Sequence, residues 1–196
     1  ALFKSILSVG EAATFSNTLK SLGDVTLNSA LSIGESVTLR SILSVAGGVA
    51  LASTMAITGA ATLSSKLSVG GAAILSSILS VAQPTTLAST MSVAGGVVLA
   101  STIAVTGAAS FSDNLSVNGA AVLSSTLSIG DNVILASSLS VAEPASFSSS
   151  MSVAGGVVLA STLAVTGAAT LSNSLSVGKD LVIASSLSVA EPVSFA

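Results

Sequence analysis

The chain offers very little chemistry, and what it offers is carboxylate. Its 196 residues include eight acids, no histidine and no cysteine. Nucleophilic machinery built on an imidazole base has no base here, and thiolate metal sites have no thiolate. The pair to examine is Asp131 and Glu143, twelve residues apart. If twelve residues form one coil, these carboxylates stack about 5 Å apart. Such a pair could share acid–base work, or hold Ca²⁺ with further oxygen ligands. The plainer reading is two solvated turn acids, so neither catalysis nor a cofactor is expected. Gly47-Gly48 and Gly155-Gly156 precede no helix, which makes them turn glycines and not phosphate loops. Asn114-Leu115-Ser116 fits the glycosylation sequon, which matters only in a secretory setting.

The residues around these groups belong to one twelve-residue unit, seen cleanly as L-S-V-N-G-A-A-V-L-S-S-T at Leu115–Thr126. Position 1 is Leu, Met or Ile (Leu43, Met55, Ile103) and position 3 is Val or Ile (Val45, Ile57, Val105). Position 7 is small or β-branched (Ala61, Val97), and position 9 is Leu, Phe or Ile (Leu63, Phe111, Ile183). Within each pair the spacing is two, which puts both side chains on one face of a strand. A helix would need spacings of three and four. The unit therefore predicts two short strands, at 1–3 and 7–9, with core residues of the type Leu115, Val117, Ala121 and Leu123. Turns fill the gaps: Gly or Ala-x-Pro at 4–6, Ser and Thr at 10–12.

Composition bounds the class. Hydrophobic residues make up 51% and charged residues 7%, against about 25% charged in an average soluble domain. Ser nevertheless interrupts every apolar run, so no transmembrane helix is expected, and the strands are too short for a membrane barrel. A net charge of −3 gives no footprint for nucleic acid. All five aromatics are Phe, too few for a base-stacking platform.

The charges mark the wet side. Glu11, Glu35, Asp131, Glu143, Lys179 and Glu191 all sit at position 5, so the 4–6 turn is expected to face solvent. Position 8 lies between two inward residues and should point outward. There the chain carries Val98, Val122, Ile134, Val158 and Val182. In a twelve-residue coil these five form one exposed apolar line, an expected interface with another chain. Position 8 also bears on ice binding, which needs a regular hydroxyl ladder. The series Thr62, Ile74, Thr86, Val98, Ser110 is too mixed for one.

Units related by sixty residues, Met91–Thr102 and Met151–Thr162, are identical. This points to block duplication and to a register of twelve residues, not eighteen. Fifteen full units of one coil each would rise roughly 70 Å, whereas a triangular coil of about eighteen residues would shorten the array to about 50 Å. Residues 1–196 form a single array that starts and ends within a unit. The expectation is a segment of a longer fibre, with any head or anchor domain outside it.

The units L-S-V-N-G-A-A-V-L-S-S-T and L-A-V-T-G-A-A-T-L-S-N-S (Leu163–Ser174) resemble the repetitive β-helical shafts of viral and phage tail fibres and of related microbial and algal surface fibres. That resemblance implies three chains about a common axis and an extracellular or virion location. The combined reading is an all-β, elongated β-solenoid or β-helix of twelve-residue repeats, intertwined or laterally packed in a homotrimer. Its work would be mechanical, as a self-assembling structural fibre shaft. No enzyme activity, no cofactor, no nucleic acid and no membrane insertion are expected. The rival is a binding solenoid, an adhesin or ice-binding surface.

Overall fold

A computed structural model describes residues 2–195. The chain is a parallel β-solenoid. Strands of three residues alternate with three-residue corners along its whole length, from Leu7–Val9 to Val193–Phe195, after a shorter first strand at Leu2–Phe3. The strands fall into three sheets of eleven, each built from every third strand. Three flat faces therefore surround one core, and the array has about eleven coils. The faces are called first, second and third in the order in which the chain meets them. At about 4.8 Å per coil, the eleven-stranded stack is about 50 Å long.

The strands lie where the spacing of two places them, but the coil is longer than the repeat. Leu115 pairs with Val133 and Val117 with Leu135, eighteen residues on. The twelve-residue coil is thus corrected to an eighteen-residue one, one and a half units. The reason lies in the core. With a coil of one and a half units, position 1 stacks on position 7, and position 3 on position 9. A large residue then meets a smaller one at most steps, as in Ile103–Ala121–Leu139 and Val105–Leu123–Val141. A twelve-residue coil would stack Leu on Leu and Ala on Ala, crowding one column and hollowing the next. Interiors pack at near-crystalline density, so the alternating stack is favoured. The repeat of twelve is the signature of that alternation, and the three strands of each coil close the core within one chain.

Hydrogen bonds tie each corner to its neighbours. The first residue of a strand donates its N–H to the last corner carbonyl of the next coil, as Leu115 to Asn132 at 3.0 Å. The first corner residue donates to the last strand carbonyl of the coil before, as Asn118 to Leu99 at 2.9 Å. Pro84 and Pro144 occupy the third corner position, where the carbonyl is the group used: Leu67 donates to Pro84 and Leu127 to Pro144. Proline's missing donor costs the ladder nothing there. Leu19–Ser21 is a strand although Ser21 stands where other units have Val or Ile at position 3. Ser21 turns inward, and its hydroxyl donates to the Gly23 carbonyl at 2.9 Å.

Thr85 breaks the apolar column of the third face. It is buried between Leu67 and Ile103, and its Oγ1 has no hydrogen-bond partner. An unpaired buried hydroxyl costs about 1–3 kcal/mol. Thr85→Val, nearly the same shape, is therefore expected to raise the thermal midpoint by the equivalent of about 1–2 kcal/mol. Calorimetry of the two proteins checks this.

Candidate functional site: outward rows and corner columns

Each strand presents one central residue outward, so each face carries a single row of side chains at about the strand spacing of 4.8 Å. Corner residues contribute to the surface as well, among them charged side chains at the second corner position. Leu115, Val117, Ala121 and Leu123 line the core. Glu11, Glu35, Glu143, Lys179 and Glu191 are exposed at corners, and Asp131 is half-buried at one.

The eighteen-residue coil redistributes what a twelve-residue coil would align. Val98 and Ile134 lie on the second face, two coils apart with Ser116 between them. Val122 and Val158 lie on the third face, separated by Ser140. Val182 lies on the first. All five are about half exposed or more. The expected single apolar line is corrected: no face holds more than two of them, because residues twelve apart sit on different faces. The same geometry separates Asp131 from Glu143, which occupy different corner columns.

The corner between the first and second faces brings a different carboxylate pair together. Asp113 and Asp131 are successive members of one column, next to Asn114 and Asn132. Asp113 Oδ1 accepts from the Asn114 N–H at 2.8 Å and from Asn114 Nδ2 at 2.9 Å. Asn114 Oδ1 accepts from the Asn132 N–H at 3.3 Å, and Asn132 Oδ1 from the Ser150 N–H at 3.3 Å. The result is a side-chain ladder up the corner. Asp24, lower in the column, does the same work. It accepts from the Ser41 hydroxyl and from the Ile42 N–H at 3.2 Å. These two donors, the hydroxyl first, hold its carboxyl below the ordinary carboxylate value. The pairing of Asp113 with Asp131 was hidden because it spans eighteen residues, not twelve. Among the described residues there is no group of three or more acids, histidines or cysteines able to hold a metal.

Two surface features stand out. The second face begins with five consecutive hydroxyl residues, Ser8, Thr26, Ser44, Thr62 and Ser80. The other is a groove around Lys66, walled by Ser64, Gln83, Pro84 and Thr86. It is open to solvent and no titratable partner faces the lysine across it.

Comparison of the chain with protein-family models, with curated proteins and with solved structures found no match.

Proposed function

We propose that this chain is a structural fibre shaft, non-catalytic and self-associating, that gives length and rigidity to an extracellular or virion appendage. The observation that carries this reading is the uniformity of the array. Eleven strands stack in each of three sheets with the same register throughout, and the inward columns are almost unbroken aliphatic. Such a stack resists bending, because each coil bonds to its neighbours on three sides. Its outward rows are small and chemically plain, as a spacer needs. The homotrimer and the tail-fibre setting come from the resemblance of the repeats, with lateral packing of closed solenoids as the arrangement compatible with one chain per core. Immunogold labelling of intact cells or particles with an antibody to the chain is expected to decorate surface filaments. Label confined to the cell interior would overturn the proposal.

The second reading, a binding solenoid, draws support from the hydroxyl row Ser8–Ser80 on the second face. A freezing hysteresis or surface adhesion that is lost in Thr62→Lys would favour it over the shaft.

A further inference from the structure

In coils one to five, the edge between the first and second faces differs from the other two. Among the described residues, six large apolar side chains of these coils stand out in solvent. All six lie on this edge or on the strip of the first face beside it. Leu2 and Ile74 are outward residues of the first face, and Ile6, Leu22, Ile42 and Ile78 are corner residues. They are between 45% and 67% exposed. The same strip carries Lys4, Lys20 and Arg40, three of the chain's five cations, all exposed. Its one acid is Asp24, whose carboxylate accepts from the Ser41 hydroxyl and the Ile42 N–H and so is held within the corner. Glu11 and Glu35 stand on the other two edges. The strip ends before Asp113 and Asp131, in coils seven and eight of the same edge.

Aliphatic side chains set among cations match one chemistry: a surface with negative charge outside and hydrocarbon beneath. We infer that this edge is a docking site for an anionic lipid surface. The six apolar side chains follow one edge, so they meet a plane together, over about 19 Å from coil one to coil five at the strand spacing. The leucines and isoleucines enter the boundary between headgroups and acyl chains. The lysine and arginine heads stay with the lipid phosphates, and their stems lie beside the isoleucines. Contact of this kind lies on the bilayer and does not cross it; no helix among the described residues is long and apolar enough to span one. Coil four contributes Ala56, Thr58, Gly59 and Ala60, small residues that leave close approach open. Asp113 stands two coils beyond Ile78, about a Debye length at physiological salt, so its repulsion is screened. An acidic polymer would use the cations but leave the six apolar side chains in water, which favours the lipid. The inference goes beyond the shaft reading and does not depend on it. It also agrees with a parallel trimer. Three copies packed on this edge would bring Arg40 against Arg40 and Lys20 against Lys20, at a cost, so the edge stays on the outside of such an assembly.

The experiment is flotation of the whole 196-residue chain with vesicles. Binding is expected to vesicles of phosphatidylcholine containing phosphatidylglycerol, to weaken with added salt, and to be absent with phosphatidylcholine alone. Lys20→Gln with Arg40→Gln is expected to lower the partition coefficient about tenfold or more. Ile42→Ser with Ile78→Ser is expected to do the same. All four side chains are exposed, so the fold survives both changes. Lys66→Gln with Val158→Ser, on other surfaces, is expected to leave binding unchanged. Because the chain has no cysteine, a polarity-sensitive dye can be attached at one chosen thiol. On Ser76→Cys, between Ile74 and Ile78, its emission is expected to shift to the blue with the anionic vesicles. On Ala88→Cys, at another edge of the same coil, it is not. No binding to the anionic vesicles, or binding indifferent to both pairs of substitutions, overturns the inference. So does binding that falls in the charge pair alone with no shift at Ser76→Cys, which is the behaviour of a site for acidic polymers. None of these outcomes touches the shaft reading, which the surface labelling tests.

Discussion

Leu123→Asp is expected to unfold several coils or to prevent the array from closing. Leu123 is 2% exposed and stands in the inward column between Val105 and Val141. Its face is closed by the strands of the other two sheets, so an aspartate there finds neither water nor a cation. An unpaired buried carboxylate costs several kcal/mol, and even as the neutral acid it leaves polar atoms without partners in an aliphatic column. Val105 and Val141 flank Leu123 in the column on either side, so no polar group stands beside the new carboxylate. Glu143→Gln is the companion measurement. Glu143 is exposed at a corner, and the change is expected to move stability by less than about 0.5 kcal/mol. Chemical unfolding followed by far-ultraviolet circular dichroism compares the two. Equal midpoints would mean that the inward and outward residues are reversed.

Gly119→Val is expected to cost about 3 kcal/mol. Gly119 does not need a left-handed backbone; among the described residues no glycine has a positive φ. It is required for close approach. Its N–H donates to the Ser101 carbonyl at 3.2 Å, which draws the corner onto the coil before it. A Cβ built on Gly119 would lie 2.6 Å from the Ser101 carbonyl carbon and 2.7 Å from the Thr102 nitrogen. Those are backbone atoms and cannot step aside. The corner would have to lift, breaking its own bond and straining the two flanking ladders. Gly96 is the control, because the nearest atom to a Cβ there is the Asn114 carbonyl oxygen at 3.7 Å. Gly96→Ala is expected to be within about 0.5 kcal/mol of the parent. Similar losses at both glycines, read by thermal unfolding, would remove close packing as the explanation.

Glycine's placement also explains why a twelve-residue repeat serves an eighteen-residue coil. In a coil of one and a half units, a Gly corner lies on a Ser corner: Gly119 on Ser101, Gly155 on Ser137, Gly167 on Ser149. In each case a residue without Cβ rests on the backbone of one that has it. The alternation of Leu with Ala in the core and of Gly with Ser at the corner thus has one cause, the half-unit offset between neighbouring coils.

Much of this protein is determined by its sequence alone. The spacing of two between Leu115 and Val117, and between Ala121 and Leu123, sets the strands and their inward faces, because side-chain direction along a strand is a local property. Charged corner residues are as legible, since ions stay in water. The number of strands per coil is different. A pattern of two inward residues in every six is satisfied equally by two strands around a core or by three. The choice rests on pairs eighteen residues apart and on how large and small side chains share a column, neither of which is local. Only the tertiary structure decided that Val98 and Val122 lie on different faces, that Asp113 stacks with Asp131 while Glu143 stands apart, and that Arg40, Ile78 and Asp113 share one edge. Each follows from the coil length, which close packing sets and local spacing leaves open.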